Sequence, residues 1–374
     1  MVYFDLMILF VSLIFISILL VQDILLILLC RFNFQNHRKE LTQNLPKVSV
    51  LIAARNEEHY LPRLLASLER LDYPEEKLQI LIANDQSTDS TLAIIKNWCD
   101  RSSRRFIEIE AEETFRRNAN GKANALAFLE KMADGEFIFF TDADCEVNPG
   151  WIKEGISCMG QKTGMLIGIT QVKGKSFFSE LQEIDWWNTL GIVKVVTDLG
   201  WPTTGIGNNM VVSKEAFEKV GGFSNLPFCL TEDLELSRSI RKAGYQIIHQ
   251  VSPEILLLTK AENDWQSLMY QRKRWMQGVA TLPFFWKIVL FFQAAFFPAV
   301  LYLIWVSPLA GVSFWFLKIW FQGIFIRGVS SKASSAPQWK KLLLFDFYYL
   351  VSTCHTILYY FWPSQIQWKS RNYK

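Results

Sequence analysis

The sequence predicts an α/β domain, a mostly parallel sheet with helices on both faces, flanked by transmembrane helices. Three observations predict it. Short apolar runs alternate with stretches of helical spacing through the middle of the 374-residue chain, the order that folds into a parallel sheet. Polar residues gather at the carboxyl ends of those runs, where open α/β sheets bind ligands. Both ends of the chain carry Leu, Ile, Val and Phe over the ~20 residues a bilayer requires.

The first long run, Leu6 to Leu29, is broken only by Ser12, Ser17 and the pair Gln22 and Asp23. A cleaved signal peptide would need a basic start and a small-residue cleavage site. The start, MVYFD, has no Lys or Arg, and Arg31, Arg38 and Lys39 follow the run instead. The positive-inside rule then places the N-terminus outside and the next segment in the cytoplasm. Near the other end, Phe284 to Trp305 and Leu309 to Ile326 read as a helical hairpin turning at Ser307-Pro308. Leu342 to Phe361 is a fourth span or a re-entrant helix, because Asp346 and His355 interrupt it and charge at bilayer depth is costly unless it faces protein or water. The expected organisation is an anchor at 1–31, a cytoplasmic domain at 46–281 and a C-terminal membrane region at 282–374, in a multi-pass protein of the cell membrane.

Within the middle, Lys47 to Ala54 is the first strand, and Asn56 to Leu71 follows as a helix with Leu61, Leu64, Leu65, Leu68 and Leu71 at helical spacing. Leu78 to Asp85 is the second strand; QSTDST supplies a turn and cap before a helix that opens with Leu92, Ile94 and Ile95. A third cycle runs from the strand Phe106 to Glu110 through the helix Gly121 to Met132 to the strand Glu136 to Phe140. Arg55, Asn56 and Glu57, then Asp85, then Asp142 and Asp144 close successive strands, so they converge on one rim.

Composition excludes several classes. A net charge of +3 and basic residues not interleaved with aromatics argue against a nucleic-acid partner. The six cysteines have no zinc or disulfide spacing and read as reduced bystanders. No Gly-x-Gly-x-x-Gly turn follows the first strand and no Walker-type Gly-Lys-Ser/Thr occurs, which argues against a dinucleotide or P-loop fold.

Four motifs carry chemistry. In FTDADC, Asp142 and Asp144 can both reach a hard cation that keeps positions open for phosphate oxygens; the alternative is a polar turn. In GKANAL, Lys122 opens a helix whose amides and ammonium suit a diphosphate; the alternative is a surface lysine. Thr231-Glu232-Asp233 leads into the amphipathic LELSRSIRKAG, with Thr231 as its cap. Its acids either complement the helix dipole or supply a general base. Gln271-Arg272-Lys273-Arg274-Trp275 is an interfacial anchor or part of the site.

In this order AARNEE (Ala53 to Glu58), ANDQSTD, GKANAL, TDADC, TED and QRKRW resemble the family 2 glycosyltransferases. The likeness is greatest to the membrane-embedded branch with the cellulose, hyaluronan and poly-N-acetylglucosamine synthases and ceramide glucosyltransferase. It spans about Val48 to Trp275 and implies a GT-A-type nucleotide-sugar-binding domain. It further implies that Asp85, with Ala53, Arg55 and Glu57, holds the uracil and ribose of a UDP-sugar. Lys122 would meet the diphosphate, Asp142 the nucleotide or donor sugar, and Asp144, with Asp142, a Mg2+ or Mn2+ ion. Asp233, with Glu232 beside it, would form the catalytic pair and Asp233 would deprotonate the acceptor. Gln271, Arg274 and Trp275 would close over the diphosphate and acceptor, and Asn208 or Asn209 of GIGNNM would touch the acceptor. Two departures stand out: the family often has two adjacent acids where this chain has Asn84-Asp85, and larger polymer synthases carry more membrane helices.

The expected function is therefore inverting, metal-dependent transfer of a sugar from a UDP-sugar to a glycan or lipid acceptor, with a β-linkage in polysaccharide synthesis as the leading form. Single transfer to a membrane lipid is the first alternative. A non-catalytic membrane partner of a synthase is the second, and partner subunits would be compatible with either.

Overall fold

The computed structural model describes residues 2–102, 105–108, 120–201, 203–369 and 371–373. Its first elements in chain order are α1 (Val2–Phe32), β1 (Val48–Ala54), α2 (Leu61–Leu68), β2 (Leu78–Asn84), α3 (Thr91–Ser102), β3 (Arg105–Glu108), α4 (Gly121–Leu129), β4 (Phe137–Thr141), α5 (Trp151–Cys158), β5 (Thr163–Ile167), β6 (Thr170–Lys173) and α6 (Phe177–Asp198). There follow β7 (Asn209–Ser213), α7 (Lys214–Val220), α8 (Glu232–Lys242), β8 (Gln246–His249), β9 (Leu257–Lys260), α9 (Trp265–Ala280), α10 (Phe284–Val306), α11 (Pro308–Ser330), α12 (Trp339–Phe361), β10 (Ile366–Trp368) and β11 (Arg371–Tyr373). The last two residues of the expected third strand, 109–110, lie outside the described residues. The chain divides into two compact units, one of Gln35–Gly174 with Val196–Ala261 and one of Met1–Phe34, Lys175–Val195 and Glu262–Lys374.

The first unit is built on a sheet of order β3-β2-β1-β4-β7-β5-β8. Strand β1 pairs parallel with β2 and β4, β2 with β3, and β5 with β8. Strand β7 runs antiparallel to β4 and β5. Every residue of β1 except Ala53 is buried; since alternate side chains point to opposite faces, both faces of the sheet are covered there. Phe139 meets Trp151 edge-on at 5.0 Å and Phe140 meets Phe223 at 5.4 Å, so the apolar run that ends in Asp142 is anchored in the core. Gly135 is needed where the chain enters β4: a Cβ there would lie 2.4 Å from the Ser49 amide nitrogen.

Two features depart from the sequence pattern. The helix expected from Asn56 starts only at Leu61. Asn56 takes a left-handed φ of 52° and its Oδ1 accepts from the Thr88 amide at 2.9 Å. The Glu57 amide donates to Thr91 Oγ1 at 2.7 Å. The loops after β1 and β2 are thus sewn together, and their bonds displace the helical ones. The reversal of β7 also has no local signature, because strand direction depends on which rim the preceding loop reaches. Its register sets Thr141 opposite Asn209, so the loop before β7 shares a rim with Asp142.

The second unit contains α1, most of α6 and α9 to α12. Four helical stretches, Asp5–Phe32, Phe284–Val306, Pro308–Ala333 and Trp339–Phe361, are long and apolar enough to cross a membrane. Ile16 and Leu19 of α1 pack with Phe296, Phe297, Val300 and Leu303 of α10, while Phe10, Trp305, Leu309 and Leu358 remain exposed, as a lipid-facing surface would. Asp346, the residue that made the last span ambiguous, is fully buried. It is ion-paired to Lys318 and accepts from Trp315 Nε1 at 2.5 Å, so its charge faces protein.

Candidate active site

The carboxyl ends of β1, β2 and β4 place the expected acids and bases on one rim of the sheet. Arg55 Nη1 donates to the Asp85 carbonyl at 2.6 Å and to the Gln86 carbonyl at 3.2 Å. Asp85 is itself tied to β1 by its amide, which donates to the Ala54 carbonyl at 2.8 Å. Asp85 and Glu57 are both buried. Together with Ala53 they form a polar floor over the first two strands.

Beside it lies a charged cluster. Lys122, in the first turn of α4, has Nζ 2.5 Å from Asp142 Oδ1 and 3.4 Å from Glu232 Oε1. Burial would lower the lysine, but the Asp142 and Glu232 carboxylates outweigh it and hold the ammonium above its usual range. Asp233 Oδ2 accepts from the Gly207 amide at 2.8 Å and Oδ1 from the Leu234 amide at 2.8 Å. Gly205 allows that approach, since a Cβ there would lie 2.3 Å from the Asp233 carbonyl oxygen. Burial pushes the Asp233 carboxyl up to about 6, with Glu232 pushing the same way and Lys122 opposing. A carboxylate has about four acceptor positions, so two amides leave room for a hydroxyl.

Asp144 is held more loosely than Asp142. Its Oδ1 lies 3.4 Å from Thr259 Oγ1 and its Oδ2 lies 3.7 Å from Lys260 Nζ. Among the described residues no three His, Cys, Asp or Glu side chains gather as a closed ligand set. Asp142 and Asp144 are the carboxylates at this rim that could hold a divalent ion, and one or two carboxylates are enough for Mg2+ at a substrate phosphate. The long contacts of Asp144 fit that use. Cys145 beside it is buried, and burial together with Asp144 and Asp142 pushes its thiol well above the usual range; it is unreactive. Among the described residues the cysteines form no disulfide.

Asn208 accepts from Thr170 Oγ1 at 3.0 Å and is nearly buried. Asn209 is spent on the core: Oδ1 accepts from Trp151 Nε1 at 3.0 Å, and Nδ2 donates to the Ile169 and Ile255 carbonyls, each at 2.8 Å. Thr231 precedes α8 as expected, yet its side chain makes no capping bond.

Gln271, Arg274 and Trp275 lie on α9 in the helical unit. There Gln271 Nε2 donates to Glu262 Oε1 at 3.0 Å, Arg272 pairs with Asp185, and Trp275 meets Trp186 edge-on at 5.6 Å. Lys273 Nζ donates to the Trp362 carbonyl at 2.7 Å and to Ser364 Oγ at 2.6 Å, closing the end of α12. Arg272 and Lys273 of QRKRW thus brace α9 against its neighbours. Sequence reasoning missed Asn120, Gly207, Thr259 and Lys260; of these only Asn120 carried a signal, an N-cap residue immediately before the GKANAL helix.

Poly-beta-1,6-N-acetyl-D-glucosamine synthase of Staphylococcus epidermidis is 28% identical over 251 residues, 66% of this chain and 58% of that protein. Beta-monoglucosyldiacylglycerol synthase of Nostoc sp. is 26% identical over 253 residues, 65% of this chain and 51% of that protein. The chain thus spans a little over half the length of these curated relatives. A mannosyltransferase from Pyrobaculum calidifontis, solved in complex with GDP-Man and Mn2+, superposes with a TM-score of 0.61 at 16% identity, over 96% of this chain and 100% of that one. That likeness shows the fold, which is of the GT-A type. The family model for glycosyl transferase family 21 matches residues 7–374, and with a match over nearly its whole length the chain belongs to that family.

Proposed function

We propose that the chain is an inverting, metal-dependent membrane glycosyltransferase that moves a sugar from a UDP-sugar to a glycan or lipid acceptor. The observation that carries this reading is the pairing of a cation with a poised acid. Lys122 bridges Asp142 and Glu232, and Asp233 sits beside them on two amides with its carboxyl near 6. An acid of that kind is deprotonated at neutral pH yet basic enough to accept a proton in a transition state.

In this reading Asp233 takes the proton of the acceptor hydroxyl as its oxygen attacks the anomeric carbon. The bond from that carbon to the β-phosphate oxygen breaks, and the nucleoside diphosphate leaves from the opposite face. One displacement inverts the centre, so an α-linked donor gives a β-linked product. Lys122 trades a carboxylate partner for the diphosphate and offsets its charge. Asp85, Arg55, Glu57 and Ala53 hold the nucleoside, and Asn208 lies on the acceptor side. Gln271, Arg274 and Trp275 are assigned to the diphosphate and acceptor end. Bound Mg2+ or Mn2+, held by Asp144 and Asp142, would supply further charge neutralisation of the diphosphate. The four apolar helices support a multi-pass protein, and Arg31, Arg38 and Lys39 after the first of them support a cytoplasmic sheet unit.

Polysaccharide synthesis is the leading product class, supported by the QRKRW helix and by the poly-N-acetylglucosamine synthase among the relatives. Single transfer to a lipid is favoured by one observation: Leu199, Trp201 and Phe228 are exposed on the loops that lead to Gly207 and Asp233. Membranes carrying the full chain, given radiolabelled UDP-glucose and UDP-N-acetylglucosamine with Mn2+, test both. A ladder of products supports the polymer and a single extractable glycolipid the alternative; no metal-dependent UDP release from any UDP-sugar removes the reading.

A further inference from the structure

We propose that Asn120 is a positioning residue that fixes the distance between the donor-side lysine and the acceptor-side acid. The inference rests on the roles of Lys122 and Asp233 given above. Asn120 is buried immediately before α4, and three contacts fit only one orientation of its amide. Oδ1 accepts from the Ala123 amide at 2.8 Å, while Nδ2 donates to the Cys229 carbonyl at 2.8 Å and to Glu232 Oε2 at 3.0 Å.

The other oxygen of Glu232 reaches Lys122. One amide thereby caps the helix that carries the lysine and grips the segment, more than a hundred residues later, that carries Asp233. Glu232 is then a spacer and counter-charge, and its position next to the base is a consequence of what it holds. Without the Nδ2 donor, the Cys229 carbonyl and Glu232 Oε2 would lose their partner on the α4 side and the first turn of α8 would move away from Lys122.

The two roles of the amide can be separated. Asp caps helices as well as Asn does, so Asn120→Asp keeps the Ala123 bond and the shape but turns the donor into an acceptor. Asn120→Ser also keeps a cap and, without adding charge, replaces the amide donor Nδ2 by a hydroxyl on a side chain one atom shorter. In the full chain purified in detergent, both variants should bind UDP, measured by calorimetry with Mn2+, about tenfold more weakly, the usual order for losing a hydrogen bond to a charged group. The KM for a UDP-sugar should rise by a similar factor. Combining Asn120→Asp with Glu232→Gln restores a donor opposite an acceptor, and should recover most of the lost UDP affinity.

A capping role alone predicts wild-type UDP binding in both single variants and no recovery in the double variant, and either result overturns the proposal. Failure of the functional reading looks different: a wild-type chain that binds no UDP removes both readings. Full transfer by Asp233→Asn removes the catalytic assignment and leaves the Asn120 measurement standing.

Discussion

Replacing Lys122 by Met removes one ammonium from a cluster of three carboxylates while keeping the stem of the side chain. Its two partners are not equivalent. The Asp142 side chain is 34% exposed, so water screens that arm, whereas Glu232, 3.4 Å away, is only 6% exposed. At about 4 Å and an effective dielectric near 20, a unit pair is worth roughly 4 kcal/mol before desolvation is counted. Without the lysine, Glu232 and Asp233 adjoin with no cation between them, and the Asp233 carboxyl, already pushed up to about 6 by burial and Glu232, is driven higher. At about 1.4 kcal/mol per pKa unit, even a third of the gross term moves it by roughly one unit. The base works only when deprotonated, so activity falls as pH drops through its pKa. The acidic limb of kcat/KM for UDP release should therefore move to higher pH in Lys122→Met, on a plateau lowered at least tenfold by the lost diphosphate contact. Glu232→Gln removes the neighbour that pushes upward, and its limb should move to lower pH. The assay is kcat/KM across pH 5 to 9 with the full chain in detergent. Limbs that stay in place, or that move in the same direction in both variants, would refute Asp233 as the titrating base.

Other substitutions probe the site and its frame. Asp233→Asn should reduce transfer by about 10²-fold or more while UDP binding persists, and Asp144→Ala should abolish the response of UDP release to Mn2+; retained metal-dependent turnover in either counts against the assignment. Asn209→Leu strands the Trp151 Nε1 donor and the Ile255 carbonyl in the core, at roughly 1–3 kcal/mol each, while the Ile169 carbonyl keeps the Leu257 amide. Its thermal midpoint should fall by several degrees with the UDP affinity of the surviving protein unchanged. Lys318→Met leaves Asp346 buried without its cation, a loss of about 3–5 kcal/mol, and Lys318→Met with Asp346→Leu should recover part of it, the buried Asp23 of α1 still lacking the lysine; a single variant as stable as the parent would show that the pair does not hold α11 to α12.

Much of the site was legible because its residues are local events in the chain. An apolar run that stops at an acid is a strand end, and Asp85, Asp142 and Asp144 were found in that way. Lys122 was found because GKANAL opens a helix. The assignments that needed space were out of reach. Glu232 reads as a second acid beside a base, and only its contacts with Asn120 and Lys122 make it a counter-charge. Asn209 reads like Asn208, and only the core around Trp151 sets it apart from its neighbour. Asp346 reads as a flaw in a membrane helix until Lys318, on another helix, neutralises it.

The sequence by itself determined the alternation of strand and helix, the rim on which the acids lie, the four apolar helices and the family, because each depends on residue types within a few positions of one another. Tertiary structure alone decided the reversal of β7, which brings the loop whose Gly207 amide donates to Asp233 to the rim of Asp142, and the late start of α2. It also decided the grouping of α6 and α9 with the membrane helices. Those outcomes depend on hydrogen bonds and ion pairs between residues far apart in the chain, and no local pattern encodes which distant partner a polar side chain will meet.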